Sequence, residues 1–152
     1  MPLGGKWLMQ FVGILLPTFA LVALVFIVWL VLFVQRFGHI KRNPPRKEDF
    51  DTGDAAMRYF EPVEMPANNL RNLFEMPVLF FALVPLLMIT HHANHLQVLL
   101  AWIYVALRVL HSVIHIFVRK VQTRFMVYLL SCIVLSVMWI GFAIDIMSVP
   151  GY

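Results

Sequence analysis

Four long apolar runs dominate the pattern of this chain, at about residues 9–34, 68–90, 97–118 and 124–147, with polar segments between them. Each run reaches the roughly 20 residues that an α-helix needs to cross the hydrocarbon of a bilayer. Backbone groups in hydrocarbon must find partners within the protein, and helices provide them. The pattern therefore predicts an all-α integral membrane protein, a four-transmembrane-helix bundle in which residues 1–152 form a single membrane domain.

Three prolines lie inside these runs, Pro17 in the first and Pro77 and Pro85 in the second. A proline inside a helix removes one backbone hydrogen bond and crowds the preceding turn. In a membrane bundle, neighbouring helices can satisfy the groups that a proline frees. We therefore expect each proline to kink its helix without breaking it.

The longest polar segment, about residues 35–66, joins the first two runs and mixes basic with acidic side chains. Pro44, Pro45 and Gly53 argue against one long helix there. Asp51 or Thr52 could cap a short helix that continues through Tyr59. The segment is therefore predicted to be a loop that contains one short helix.

Basic residues are unevenly distributed among the loops. Beyond Arg36 at its start, the first loop contains five of them. The third loop carries Arg119, Lys120 and Arg124, whereas the second loop, residues 91–97, has no lysine or arginine. Cytoplasmic loops of membrane proteins are enriched in lysine and arginine. We therefore expect both termini outside and both basic loops in the cytoplasm, with the cell inner membrane as the location if the source is bacterial.

Composition supports a membrane protein, because 61% of the 152 residues are hydrophobic and only 13% are charged. A soluble domain of this length could not bury so much apolar surface, so the lipid bilayer is the expected partner. The net charge is +4, but the basic residues flank apolar runs and form no separate patch, which argues against nucleic acid. The single cysteine, Cys132, can form no internal disulfide.

Strongly polar residues interrupt the second and third runs: Arg71, Asn72 and Glu75, and then Arg108, His111 and His115. A charge at the centre of a membrane helix costs roughly 2.5–3.5 kcal/mol on insertion scales, so such residues usually have a function. At about 100° per residue, the first set shares an arc of about 100° and the second about 60°. Each set should form one stripe that faces protein or a water-filled cleft.

Positive charge exceeds negative charge in this region. Arg36 closes the first run, and Arg124 and Tyr128 open the fourth, all at the end where we expect the cytoplasm. Glu75 is the only acidic residue that we assign to the cluster. An anionic ligand could therefore be held by Arg36, Arg71, Arg108 and Arg124, with Glu75 receiving an ammonium group.

A purely structural interpretation is the alternative. Arg71 and Glu75 are four residues apart and could pair within one helix, and Arg108 could form a buried bridge to Glu75. Arg36 and Arg124 at helix ends could extend to the membrane surface, as long basic side chains often do.

The histidines suggest a metal or haem only weakly. His91, His92 and His95 form a cluster that is typical of a solvated loop. His111 and His115 share one helix, and no other helix offers a membrane histidine to complete a haem site. The sequence therefore predicts no metal site.

Four motifs in order resemble a known family. Arg71-Asn72-Leu-Phe-Glu75 is similar to the second-helix signature of the membrane-associated proteins in eicosanoid and glutathione metabolism (MAPEG), and Arg108-x-x-His111 resembles the third-helix signature. Arg124-x-x-x-Tyr128 resembles the opening of the fourth helix, and Arg36 matches an arginine that closes the first. The resemblance covers about residues 10–147.

This resemblance implies a homotrimer with glutathione bound between neighbouring subunits, open to the cytoplasm. It implies that glutathione is held by Arg36, Arg71, Asn72, Glu75, Arg108, His111 and Tyr128. We add His115 as a further candidate. Arg124 would lie beside the sulfur and favour the thiolate, which is the nucleophile. Arginines suit the task because they bind carboxylates bidentately and keep their charge.

The expected function is a glutathione-dependent membrane transferase acting on lipophilic electrophiles, with peroxidase activity as a related reaction. Two positions depart from relatives: Phe125 where some have serine, and His115 where some have tyrosine. The alternatives are a non-enzymatic membrane scaffold or lipid-binding accessory subunit and, with less support, a small transporter or channel.

Overall fold

The computed structural model describes residues 3–118 and 120–148, with side chains from residue 11 onward. Arg119, one of the basic residues of the third loop, and the extreme termini lie outside the described residues. The described chain contains six α-helices: α1 (Leu3–Arg42), α2 (Gly53–Phe60), α3 (Met65–Leu73), α4 (Pro77–Ile89), α5 (His95–Val113) and α6 (Val121–Met147). Short 3₁₀ turns flank α2, and a π turn, Ile114–Val118, extends α5.

Four helical stretches are long and apolar enough to cross a membrane: Phe11–Arg42, Met65–Ile89, His95–Val118 and Val121–Met147. These stretches confirm the predicted all-α membrane bundle of four spans. The first span continues past its predicted end to Arg42, since residues 35–42 remain helical although five of these eight residues are polar.

The core lies where the four spans meet, and α5 is its central helix. Half of the most apolar window of α5 is buried inside the protein, compared with a third or less for the other spans. Its Tyr104 ring stacks on Phe80 of α4 with ring centroids 5.1 Å apart. Residues of α5 that face inward are therefore shielded from lipid, and this places the polar stripe of the third run inside the protein.

The second span is interrupted before Pro77. The prediction of a simple kink there is wrong, because α3 ends at Leu73 and α4 begins at Pro77. The proline ring clashes with the carbonyl four residues back, which is that of Leu73. Tight turns bridge the gap, with the amide nitrogens of Phe74 and Glu75 donating to Arg71 and Asn72. Pro17 and Pro85, in contrast, lie within continuous helices, as predicted.

The π turn that follows α5 buries three consecutive residues, Ile114, His115 and Ile116. A regular amphipathic α-helix would turn at least one of them toward lipid. The turn packs against both α3 and α6. It therefore fills the space between these helices and keeps His115 inside the protein.

The first loop folds back on the end of α1. The Thr52 hydroxyl accepts a hydrogen bond from the Ala55 amide at 3.1 Å, which caps α2; of the two predicted caps, the structure uses Thr52. Tyr59 donates a hydrogen bond to the Asn43 carbonyl and packs against Phe50. Desolvation and the Asp49 carboxylate raise the pKa of Tyr59, so its hydroxyl keeps the donated proton. This loop and Lys120 lie at one end of the bundle, which we call the basic end.

Candidate functional site

A polar cleft of about 220 Å³ opens at the basic end of the bundle. We define it by its polar lining, to which α3, α5 with its π turn, and α6 all contribute: Asn72, His111, His115, Arg124 and Tyr128. Val121 and Phe125 complete the wall. Residues from three predicted motifs, far apart in sequence, thus meet around one cavity.

Arg108 lies fully buried at the inner side of this cleft. Its Nη2 donates to the backbone oxygen of Asn72 at 3.0 Å and to the side-chain Oδ1 of Asn72 at 2.7 Å. Its Nε and Nη1 are also buried, and neither has a hydrogen-bond partner among the described residues. The guanidinium carbon lies 5.6 Å from the ring centroid of Tyr128. Arg108 therefore keeps two donor groups without a partner among the described residues, and both are closed off from solvent within one protomer.

Asn72 links this arginine to the acid of the same motif. Its Nδ2 donates to Glu75 Oε2 at 3.1 Å, while its Oδ1 accepts from Arg108. Glu75 is exposed at the interruption between α3 and α4. The amide thus connects a buried cation to an exposed carboxylate without direct ion pairing.

The predicted structural bridges do not form within the described chain. Arg71 is exposed, and the described residues contain neither an Arg71–Glu75 nor an Arg108–Glu75 ion pair. Their one ion pair joins Arg36 to Glu64 at 3.2 Å. The cleft therefore keeps an excess of positive charge.

Two histidines contact Arg124, each through a different group. His115 Nε2 lies 3.0 Å from Arg124 Nη1, and His111 Nδ1 lies 3.2 Å from the Arg124 backbone oxygen. The two imidazole rings are nearly perpendicular, with centroids 5.5 Å apart. Both rings are buried, and His115 holds the guanidinium of Arg124 at the wall of the cleft.

Arg36 does not line the cleft of its own protomer. It pairs with Glu64, and its guanidinium lies 4.6 Å from the ring centroid of Phe60. These contacts place it beside a separate, mainly apolar cavity of about 210 Å³ near the end of α1. The sequence analysis did not assign Glu64 to the polar cluster, because Glu64 precedes the second apolar run.

Other buried polar residues also escaped the sequence reasoning. Gln97 Nε2 donates to the Met138 carbonyl at 3.0 Å and ties α5 to α6. Ser112 Oγ donates to Asn69 Oδ1 at 3.4 Å and ties α5 to α3. Asn69 lies two residues before Arg71 in the second apolar run. An amide side chain inside an apolar run is a signal from which its buried contact could have been predicted.

The cleft can bind an anion and favour a negative charge at Arg124. Arg108 and Arg124 supply the positive charge, His111 and His115 supply ring nitrogens, and Glu75 lies one hydrogen bond beyond Asn72. Among residues 3–118 and 120–148, no group of three histidine, cysteine, aspartate or glutamate side chains is placed to hold a metal ion. The cleft therefore combines two arginines with two histidine ring nitrogens at its wall.

A protein-family model described as the MAPEG family matches residues 14–144. The match begins within α1, ends within α6 and includes every residue that lines the cleft. No curated protein and no solved structure matches the chain.

Proposed function

Because the chain belongs to the MAPEG family, we propose that it is a glutathione-dependent transferase of the membrane that acts on lipophilic electrophiles. The family includes glutathione transferases and peroxidases as well as non-enzymatic members. The observation that carries the proposal is the position of Arg124, fixed at the cleft wall beside a buried Arg108 with unused donors.

The donor set fits glutathione, a tripeptide with two carboxylates and one ammonium group. In this proposal Arg71, Asn72 and Arg108 bind carboxylate oxygens, and Glu75 receives the ammonium group. His111 and Tyr128 border the same ligand from α5 and α6. Charge-assisted hydrogen bonds of this kind are about twice as strong as neutral ones, which suits a site that must hold a highly soluble peptide.

A neighbouring protomer completes the site in this proposal. The cleft of one protomer, about 220 Å³, is smaller than the roughly 300–1,000 Å³ of typical ligand pockets. Arg36 lines a different cavity of its own chain, so it would reach the ligand from an adjacent copy. Both points support a homotrimer with glutathione between subunits.

Arg124 acts on the sulfur. A cation beside a thiol lowers the pKa of that thiol and raises the fraction of thiolate. The thiolate attacks an electrophilic carbon that arrives from the bilayer, and the leaving group departs as the carbon–sulfur bond forms. With a lipid hydroperoxide, attack on oxygen releases the alcohol and leaves a sulfenic acid, which a second glutathione converts to the disulfide and water.

We also propose that the basic end faces the cytoplasm, where glutathione is abundant. The distribution of lysine and arginine supports this orientation. A cysteine introduced at Asp54 in a Cys132→Ala background should resist a membrane-impermeant maleimide in intact cells and react after lysis. Reaction in intact cells would contradict the orientation.

The test of function uses the purified protein in detergent. With glutathione, the wild type should show thiolate absorbance and should conjugate an aromatic electrophile. Arg124→Ala should reduce turnover by about 100-fold or more, since the loss of one stabilising donor typically costs that much. Arg58→Ala, which removes an exposed arginine of α2, is the matched control and should leave turnover unchanged.

Two results would contradict the proposal. Glutathione binding without turnover would favour the non-enzymatic alternative, a scaffold or lipid-binding subunit. No binding at all would mean that the arginines serve the fold alone. The mass of the detergent-solubilised particle should correspond to three protomers for the wild type and for Arg124→Ala.

A further inference from the structure

Arg124 occupies an unfavourable electrostatic position. It lies in the first turn of α6, where the unpaired amide groups give the helix a partial positive charge that repels cations. No acidic residue stands in this turn, and Lys120, at the N-cap, provides no side-chain hydrogen bond. A guanidinium here needs an external partner to stay at the cleft wall.

That partner is His115 of the π turn. Among the described residues, the one hydrogen bond of the Arg124 side chain goes to His115 Nε2, at 3.0 Å. Arginine only donates hydrogen bonds and keeps its proton, so Nε2 must be the unprotonated acceptor. His115 is therefore neutral in this arrangement and carries its proton on Nδ1.

We propose that His115 is a positioning residue that anchors the Arg124 guanidinium without neutralising its charge. This inference rests on the proposed function, because it assigns the placement of the cation that acts on the glutathione sulfur. A carboxylate could hold the same arginine, but it would cancel the charge that favours the thiolate. A neutral imidazole supplies the acceptor and leaves the whole positive charge for the ligand.

The second histidine makes this anchor more effective. His111 Nδ1 lies 3.2 Å from the backbone oxygen of Arg124, and a carbonyl accepts only, so Nδ1 carries the proton. His111 thus fixes the backbone of the residue whose side chain His115 fixes. Because His115 is only 5% exposed, its ring cannot follow a moving guanidinium, and Arg124 loses its rotamer freedom before the ligand binds.

The remaining donors of Arg124 stay free for the ligand. One Nη1 hydrogen bond leaves four of the five guanidinium N–H groups. Misplacement of a catalytic group by about 1 Å can cost about 100-fold in rate. Loss of the His115 acceptor should therefore lower turnover more than it lowers the affinity for glutathione.

Three substitutions of His115 test the inference. His115→Leu removes the acceptor, His115→Gln retains a neutral acceptor close to the position of Nε2, and His115→Glu retains an acceptor but adds negative charge. Thiolate absorbance at fixed pH, kcat and the KM for glutathione are measured for each purified trimer. Arg58→Ala again serves as the control for an unrelated change at the basic end.

We expect His115→Leu to lower kcat and thiolate absorbance about 10- to 100-fold, with a change in the KM for glutathione below about threefold. His115→Gln should recover most of the loss. His115→Glu should stay low, because the anchored cation is neutralised. If His115→Leu fails to fold, the contrast between Gln and Glu still decides the question.

Wild-type activity in His115→Leu or His115→Glu would overturn the inference, as would failure of His115→Gln to recover activity. A selective rise in KM would also overturn it and would make His115 a direct ligand of the peptide. These outcomes require an active wild type. A wild type that forms no thiolate and no conjugate overturns the proposed function itself, and this inference with it.

Discussion

Arg108 is a cation buried inside a membrane span, and no carboxylate of the described residues forms an ion pair with it. Two oxygens of one residue, the backbone oxygen and Oδ1 of Asn72, accept from its Nη2. Removal of one partner from a buried charge leaves the other uncompensated, which is strongly destabilising in proteins. Asn72 is therefore as important to the fold as it is to the proposed ligand.

We expect Asn72→Ala to lower the free energy of unfolding by about 1–3 kcal/mol, because the substitution removes an acceptor from a buried charged donor. The measurement is thermal unfolding in detergent without glutathione. Asn68→Ala, one turn earlier in α3, is the control, since the side chain of Asn68 makes no hydrogen bond within the described residues. Equal shifts for the two variants would contradict this role of Asn72.

The facing of the polar stripes was predictable for α5 and only in part for α3. Arg108, His111 and His115 are all buried, as their shared arc indicates. Arg71 is exposed although it shares an arc with Asn72, because α3 buries a different face, which contains Asn69 and Leu73. Periodicity gives the face of a helix but does not say what stands opposite that face.

At the scale of elements, α2 depends on a single capping side chain. Thr52→Ala should destabilise α2 by about 1 kcal/mol, the usual effect of removing an N-cap hydroxyl. Hydrogen exchange at the Ala55 amide, which donates to Thr52 Oγ1, should become several-fold faster. The melting temperature of the bundle should hardly change, because α2 lies outside the spans.

Asp51→Ala is the matched control for this prediction. Sequence reasoning left Asp51 and Thr52 open as caps, and the structure uses the hydroxyl of Thr52. Exchange at Ala55 should therefore be unaffected by the loss of the Asp51 carboxylate. Faster exchange in Asp51→Ala alone would show that the cap had been assigned to the wrong residue.

The sequence predicts helix existence better than helix continuity. The four spans follow from the length of each apolar run, and the prolines at positions 17 and 85 leave their helices continuous, as expected. Pro77 differs because residues 74–76 can form tight turns whose amides find nearby carbonyls. The π turn could not be predicted, since it depends on packing of Ile114–Val118 against α3 and α6, helices remote in sequence.

At the scale of the whole molecule, one protomer leaves much apolar surface uncovered. Less than a third of the most apolar window of α1 or α6 is buried within the chain. An apolar groove of about 410 Å³ runs between α1 and α4, with Phe11 and Met88 among its lining residues. Lipid tails and neighbouring protomers can both cover such surface, and the proposed trimer assigns part of it to subunit contacts.

Mixed oligomers test whether Arg36 acts on the cleft of a neighbouring subunit. Arg36→Ala and Arg124→Ala protomers should each be inactive alone. When the two are co-expressed, random assembly into rings with head-to-tail contacts should restore about a quarter of wild-type turnover, because that fraction of interfaces pairs two intact arginines. Conjugation by the purified mixture is the measurement.

The outcome separates two arrangements of the site. If Arg36 served the cleft of its own chain, every site in the mixture would lack one arginine and no activity would return. Mixing the purified variants after solubilisation, without exchange of subunits, is the control and should restore nothing. Activity in Arg36→Ala alone would remove Arg36 from the proposed site.

The interruption at residues 74–76 divides the second span into two helices, α3 and α4, that are joined by a turn near one surface of the bilayer. A continuous helix transmits a change of tilt along its whole length, whereas two helices joined by a turn can tilt separately. Helices adjust to thicker or thinner bilayers mainly by tilting, at modest cost. We expect α4 to make that adjustment alone. Asn72 then keeps its hydrogen bonds to Arg108, and the geometry of the polar cleft does not depend on the lipid composition around it.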